Sequence, residues 1–261
     1  METYTLHRGT TPLLISLPHD GSEIPAPLRV RMTLAAQHAP DTDWFVSRLY
    51  DLGKTVGASM LVPRFSRYVA DLNRPPNDVS LYPGQNTTGL CPIVQFNGDP
   101  VYVDGQLPDE REIAERIETY WRPYHDVLEA ELRRLRTEHG RVLLWEGHSI
   151  RGRLPFLFEG QLPDFNLGTA NGNSCNPRIQ TAMEVVLGAQ SQYSWVSNGR
   201  FKGGYNTRHY GRPSEGVEAV QLELVQHNYM DEDAVRYDES RATQTRALIV
   251  QLIWAALAAM K

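Results

Sequence analysis

Two histidines in this sequence follow short apolar segments that are typical of buried β-strands. Segment 13–17 is followed by His19, and segment 142–146 is followed by His148. Ligands of open α/β sheets bind at the carboxyl ends of the strands, so this pair indicates one shared site. Imidazole together with a carboxylate oxygen favours zinc. Sequence alone leaves open whether each histidine is a metal ligand or an ordinary hydrogen-bonded residue.

A catalytic zinc site usually has three protein ligands, so a carboxylate is still needed. The two nearby candidates are Asp43 and Glu23. Glu23 lies four residues after His19, but Gly21 and Pro25 make a regular helix there unfavourable, so the spacing guarantees nothing. Asp43 stands beside a predicted helix start, where it could equally cap the helix. Both candidates stay open on spacing alone.

Strand-like and helix-like segments alternate along the chain, which is typical of the α/β class. Strands are predicted at 13–17, 60–63, 68–72, 142–146, 193–196 and 217–224. Helices are predicted within 25–40, 42–52, 108–139, 177–187 and 231–261, with Asp41 or Thr42 as the second N-cap and a kink at Pro123. Segments 77–108, 155–172 and 201–210 are predicted loops. The first is long enough to form a lid.

Composition is that of a globular protein with one core. The 261 residues are 41% hydrophobic and 22% charged, and no linker divides them, so we expect a single domain over 1–261. A net charge of -5 argues against a nucleic-acid partner. The sequence shows neither a signal peptide nor a long apolar run, and Cys91 and Cys175 form no motif, which together favour a cytoplasmic location without a membrane partner. The oligomeric state stays open.

Seven short motifs, taken together and in order, resemble the N-formylglutamate deformylase (N-formylglutamate amidohydrolase) family. The resemblance extends over nearly the whole chain. The motifs are Pro18-His19-Asp20-Gly21, Asp41-Thr42-Asp43, Ser66 to Pro75, Gly147 to Arg151, Leu157 to Asp164, Asn198 to Gly204 and Gln221-Leu222-Glu223. The family is related to zinc carboxypeptidases and aspartoacylases. It therefore implies a phosphorylase/hydrolase-like α/β fold, with a mixed sheet flanked by helices on both faces.

The resemblance also implies an activity and a role for individual residues. It implies one Zn²⁺ per chain, or another divalent transition metal, and hydrolysis of N-formyl-L-glutamate to formate and L-glutamate, the last step of a histidine degradation route. The implied metal ligands are His19, Asp43 and His148. The other implied roles are general base for Glu223, carbonyl polarisation for Arg67, and binding of the substrate carboxylate for Asn73 and Arg74.

Further site candidates come from the residues themselves. A dicarboxylate substrate suits arginine forks, which makes Arg208 a candidate, although an ordinary surface ion pair explains it equally well. Gly203 and Gly204 could let the backbone approach a ligand or simply turn the chain. Where the family pattern leads us to expect aspartate, two residues before His148, this chain has Glu146. Strand alternation puts that side chain on the histidine's side, within reach of the imidazole.

Alternatives to a deformylase remain at the sequence level. A related zinc amidase acting on another N-acyl amino acid would use the same residues, and a non-catalytic binding protein could retain the fold. A serine hydrolase is excluded by the absence of a Gly-x-Ser-x-Gly motif. A cysteine nucleophile at Cys175 has no supporting pattern.

Overall fold

A seven-stranded mixed sheet forms the centre of the protein, in the order β1-β3-β2-β4-β7-β5-β6. The computed structural model describes residues 2–51, 55–81 and 84–260. Strands β3, β2, β4 and β7 are mutually parallel, whereas β1 and β5 run antiparallel to their neighbours β3 and β7. The strands are β1 Tyr4–His7, β2 Leu13–Ser16, β3 Ser59–Pro63, β4 Val142–Ile150, β5 Phe165–Gly168, β6 Trp195–Ser197 and β7 Val217–Val225. A separate hairpin pairs β8 (Met230–Asp231) with β9 (Arg236–Tyr237).

Helices cover both faces of the sheet, as the sequence predicts. They are α1 Ala26–Arg29, α2 Val46–Leu49, α3 Glu110–Arg116, α4 Arg122–His139, α5 Pro177–Gly188, α6 Tyr205–Tyr210 and α7 Glu239–Ala259. The alternate residues Leu13 and Ile15 of β2 face one core with α5 and α7, while Leu14 faces another core with α4. A π-helical turn, Ile117–Trp121, joins α3 to α4 directly before Pro123, where the sequence predicts a kink.

One face of the central strands changes from apolar to polar along its length. On the α4 side, Leu144 of β4 and Ala219 of β7 are buried in the core. Two residues further along, Glu146 pairs with Gln221, and two further still, His148 pairs with Glu223. The apolar residues secure the strands against α4, and the polar ones form a cleft floor at the carboxyl edge of the sheet.

Four local predictions differ from the structure. Residues 68–72 are irregular, because this segment bonds to site residues through its side chains rather than pairing with a strand. Residues 205–210 form helix α6 and 165–168 form β5, both inside predicted loops. The helix predicted over 42–52 is only α2, and its N-cap is Phe45 in a left-handed conformation. Leu52, the predicted end of that helix, lies outside the described residues.

The last helix, α7, is long and apolar enough to cross a membrane by length and composition alone. Core helices of soluble domains also pass that test. Residues along one side of α7, among them Ile249, Leu252 and Ile253, are fully buried and belong to the same core as β2 and α5. The packing accounts for the apolar composition of this face without a membrane.

Candidate active site

Three side chains predicted as metal ligands converge at the carboxyl edge of the parallel strands. One ligand atom each from His19, Asp43 and His148 lie within 4.8 Å of one another, and all three residues are buried. The Nδ1 atom of His148 lies 3.2 Å from Asp43 Oδ2, and Nδ1 of His19 lies 3.8 Å from the same oxygen. Two imidazoles and one carboxylate facing a common centre form a candidate metal site.

Asp43 reaches this centre through backbone contacts rather than as a helix cap. Its N–H donates to the carbonyl of His19 at 3.0 Å, and its Oδ2 accepts from the N–H of Ser149 at 3.0 Å. These bonds tie the 41–45 turn both to the segment after β2 and to the end of β4. Glu23, the alternative third ligand, instead forms a half-exposed ion pair with Arg64 at 2.8 Å.

A second buried acid, Asp71, lies behind the three candidate ligands, and no site role is predicted for it from the sequence. Its Oδ1 lies 2.7 Å from Nε2 of His19, and its Oδ2 accepts from Nη2 of Arg67 at 2.7 Å. Asp71 is fully buried, and the charges of His19 and Arg67 hold its pKa well below the ordinary value despite burial. Only its place in the motif Asp71-Leu72-Asn73-Arg74 could have drawn attention to it.

The outer nitrogen of His148 faces two further side chains. Nε2 lies 3.1 Å from the Asn73 amide nitrogen and 3.6 Å from Oε2 of Glu146. Glu146 therefore lies near the imidazole, as the alternation along β4 predicts. Its Oε2 also accepts from Asn206 at 3.1 Å, while its Oε1 has no hydrogen-bond partner among the described residues.

The pKa values of the two histidines in the cluster are shifted in opposite directions. Burial, together with the nearby Arg67 charge, lowers the pKa of His19 to about 4. Burial also opposes protonation of His148, but its hydrogen bonds with Asp43 and Glu146 outweigh that effect and raise its pKa to about 10. The surroundings of His148 therefore favour a positive charge on its ring, whereas those of His19 favour the neutral imidazole.

Glu223 lies on β7 directly beside His148, its register partner on β4. Its carboxylate accepts a hydrogen bond from Gln221 at 3.3 Å, and burial raises its pKa to about 7. A buried carboxylate whose pKa is near neutral can both take and return a proton at physiological pH, as a general base requires. By contrast, burial raises the pKa of the Cys175 thiol to about 12, which makes a thiolate nucleophile unfavourable there.

A cavity that is open to solvent lies over these residues. Three arginines, Arg67, Arg74 and Arg200, line it together with the acids Asp43 and Glu223. Arg67 also packs over the Phe96 ring at 4.6 Å, and its Nε has no hydrogen-bond partner in the described chain. The buried Thr88 hydroxyl in the cavity wall is similarly unpartnered. The lining therefore presents hydrogen-bond donors suited to an anionic ligand.

The remaining predicted site residues have different surroundings. The Asn73 side chain lines the cavity, but its Oδ1 already accepts from the Asn206 N–H at 2.9 Å. Gly204 also lines it, and a Cβ there would meet the Asn73 amide at 2.3 Å, so glycine is needed for this close packing. Gly203, at φ +109°, and Arg208, exposed on α6, lie outside the lining. Arg200 lines the cavity where the sequence suggests Arg208.

Comparisons with known proteins agree over most of the chain. Residues 11–230 match the sequence profile described as N-formylglutamate amidohydrolase. The chain is 47% identical to the N-formylglutamate deformylase of Pseudomonas putida, covering 97% of this chain and 95% of that protein. The deformylase of Pseudomonas aeruginosa is also 47% identical, over 98% and 97% of the two chains.

Solved structures agree with this result. The crystal structure of N-formylglutamate amidohydrolase from Ralstonia eutropha superposes with a TM-score of 0.82 at 27% identity, covering 98% of this chain and 97% of that one. A gene product of Agrobacterium tumefaciens has a TM-score of 0.75 at 20% identity over 99% and 96% of the chains, which shows a common fold.

Proposed function

The chain belongs to the N-formylglutamate amidohydrolase family, and from this membership we propose that it hydrolyses N-formyl-L-glutamate to formate and L-glutamate, using a bound zinc ion. The observation that supports this most directly is the cluster of His19, Asp43 and His148 beside Glu223, at the floor of a cavity lined with arginines. The related deformylases carry the name of this substrate, and the chemistry of the cavity suits it.

The donor set fits zinc. Both Nδ1 atoms face the Asp43 carboxylate, and the outer nitrogen of His19 is bonded to Asp71, an arrangement that fixes the orientation of a metal-ligating imidazole. When bound, zinc would act as a Lewis acid towards the formyl oxygen and make a nearby water more acidic. Another divalent transition metal could occupy the same donor set.

In this proposal Glu223 transfers the proton, and Arg67 stabilises the negative charge that develops during the reaction. Glu223 takes a proton from the attacking water and gives it to the departing nitrogen, which cannot leave as an amide anion. The positive charge of Arg67 stabilises the oxyanion that develops on the formyl oxygen when water attacks the formyl carbon. Losing such a contact typically costs about 3 to 4 kcal/mol of barrier.

Recognition of the two substrate carboxylates falls to Arg74 and Arg200. Arg74 is held by the carbonyl groups of Thr88 at 2.8 Å and of Asn73 at 3.2 Å, and no carboxylate lies within ion-pair distance of it in the described chain. Arg200 donates to the Asn86 carbonyl at 3.2 Å on the same cavity wall. A substrate carboxylate would neutralise this charge through forked hydrogen bonds. Cytoplasmic location, predicted from the sequence, suits such a metabolic reaction.

A formate-release assay tests this function. Purified protein containing about one zinc per chain is expected to release formate from N-formyl-L-glutamate, to lose the activity in chelator, and to regain it with added Zn²⁺. N-formyl-L-glutamine is the matched substrate control, because it keeps the formyl group and the chain length but lacks the second carboxylate. Its kcat/KM is expected to be at least about 100-fold lower, since one arginine of the cavity lining loses its carboxylate partner.

Two other substrates separate this reaction from a related amidase. N-acetyl-L-glutamate and N-acetyl-L-aspartate should be poor substrates. Equal turnover of all three N-acyl amino acids would contradict deformylase specificity, and unchanged activity in a zinc-free, chelator-treated sample would contradict the role of the metal.

A further inference from the structure

We propose that Asp71 is a positioning residue that fixes the metal-site histidine His19 and the cavity arginine Arg67 at the same time. Its two carboxylate oxygens are divided between them, with 2.7 Å to His19 Nε2 on one side and 2.7 Å to Arg67 Nη2 on the other. The inference rests on the proposed function only for the role of Arg67 in turnover. The part that concerns His19 is independent of the substrate.

The surroundings of Asp71 leave it little freedom. The residue is fully buried, and its Oδ1 also accepts from the Asn73 N–H at 2.9 Å. Its own N–H donates to the Leu90 carbonyl at 2.7 Å, which fixes the backbone. Residues 64–73 therefore form an irregular connection whose shape is stabilised by side-chain bonds. This accounts for the failure of the strand prediction there.

The bond to His19 has a consequence for metal binding. When Nε2 donates to Asp71, the hydrogen of the neutral ring is on Nε2 and the lone pair of Nδ1 faces Asp43, 3.8 Å away. This is the tautomer that a metal ligand needs. Without an acceptor at Asp71, either ring nitrogen could carry the hydrogen, and part of the protein would present the wrong tautomer.

The bond to Arg67 concerns the reacting groups. Arg67 also lies 3.8 Å from Asp43 Oδ1 and over the Phe96 ring at 4.6 Å, and both contacts are longer than its 2.7 Å bond to Asp71. The short bond to Asp71 fixes the direction of the guanidinium plane. A misdirected Arg67 would still be present in the cavity, but it would stabilise the developing oxyanion poorly.

Two substitutions at this position separate the two bonds. In Asp71→Asn the amide oxygen can still accept from His19 and from the Asn73 N–H, whereas the amide NH₂ faces the Arg67 donor and cannot bond to it. In Asp71→Ala both bonds are lost. The asparagine variant should therefore impair Arg67 far more than His19, and the alanine variant should impair both.

The test measures Zn²⁺ affinity of the metal-free protein, by competition with a chelating dye, and steady-state kinetics of the reloaded protein. Asp71→Ala is expected to weaken Zn²⁺ binding about 10- to 100-fold. Asp71→Asn is expected to weaken it less than about 10-fold, while kcat falls about 100-fold with KM nearly unchanged. Kinetics are measured on whichever N-acyl amino acid the wild type hydrolyses fastest, so that failure of N-formylglutamate as substrate leaves this test intact.

A double-mutant cycle distinguishes positioning from a general structural role. If Asp71 acts on turnover through Arg67, Asp71→Asn should lower kcat less than about 3-fold further in the Arg67→Met background. Glu131→Gln is the matched control, because Glu131 is an equally buried acid bonded to Ser59 and Arg134 away from the cavity. It should leave both zinc affinity and kcat at wild-type values.

Three outcomes would overturn the proposal. They are a kcat of Asp71→Asn within about 3-fold of wild type, losses that multiply fully in the double mutant, and wild-type zinc affinity in Asp71→Ala. If the alanine variant does not fold, Asp71→Asn is compared with Glu131→Gln instead. A zinc affinity more than about 10-fold weaker in Asp71→Asn would contradict the assigned division of bonds.

Discussion

The buried histidine His125 has different hydrogen-bond partners from the two buried histidines of the candidate metal site. His125, on α4, is stacked on Trp121 at 3.7 Å and bonded through both ring nitrogens, to the Tyr210 hydroxyl at 2.8 Å and to the Leu72 carbonyl at 3.1 Å. His19 and His148 instead face Asp43 with their Nδ1 atoms, and their rings lie 4.8 Å apart. Burial alone does not identify a functional histidine. The identity of the partners does, because neutral partners satisfy an imidazole whereas converging carboxylates favour a cation.

Positions on the same two strands of the sheet also differ in role, since some pack in the core and others face the cavity. Leu144 and Ala219 serve packing, while His148 and Glu223, two residue pairs further along the same strands, face the cavity. A substitution in the polar part should therefore change activity with little change in stability. A substitution around His125 should do the reverse.

The largest expected effect is that of Glu223→Gln. The amide keeps the shape of the side chain but cannot accept a proton, so kcat should fall at least about 1000-fold. Zinc content and the thermal unfolding midpoint should stay near the wild-type values, measured by elemental analysis and by circular dichroism. Turnover within about 10-fold of wild type would remove Glu223 from the role of base.

Matched alanine substitutions compare the two histidine groups directly. His148→Ala should weaken Zn²⁺ binding more than about 100-fold, because even the loss of an outer partner typically costs 10- to 100-fold. His125→Ala should keep zinc affinity but lower the free energy of unfolding by about 2 to 4 kcal/mol, since the Tyr210 hydroxyl and Leu72 carbonyl lose their partner. Chelator titration and urea unfolding measure both quantities. Loss of zinc affinity in His125→Ala alone would reverse the comparison.

The smallest expected effect is on acid stability. Burial lowers the pKa of His125 to about 3, below the value of about 6.5 in the unfolded chain. The unfolded state therefore binds the proton more readily, and stability is complete above about pH 6.5 and falls as the pH decreases towards 3, by up to about 1.4 kcal/mol per pH unit.

His125→Gln removes this titration and serves as the comparison. Between pH 6.5 and 5, the wild type should lose up to about 2 kcal/mol more of its unfolding free energy than the variant does. Urea unfolding at the two pH values measures the difference, and groups common to both proteins cancel. Parallel losses in the two proteins would show that His125 is not responsible for the acid sensitivity.

Much of the fold follows from local pattern. The apolar segments that become β2, β3, β4 and β7 are visible in the sequence, as is the long periodic helix before His139. The predicted mixed sheet with helices on both faces is confirmed. Short elements were not predicted where neighbouring strands, rather than the local sequence, determine the conformation. Phe165–Gly168 is only four residues long and becomes a strand because β7 and β6 lie on either side of it.

The sequence by itself determined the residue types of the site and the family of the protein, because the motifs around His19, His148 and Glu223 are local and can be recognised without a structure. The resemblance favoured Asp43 over Glu23 as the third acid, but only the tertiary structure placed the Asp43 carboxylate beside both imidazoles and Glu23 in an ion pair with Arg64, because these contacts join distant segments of the chain. The tertiary structure also revealed Asp71 behind the site. Such contacts join separate segments of the chain, and their geometry is fixed by strand register and by the packing of the connections between strands.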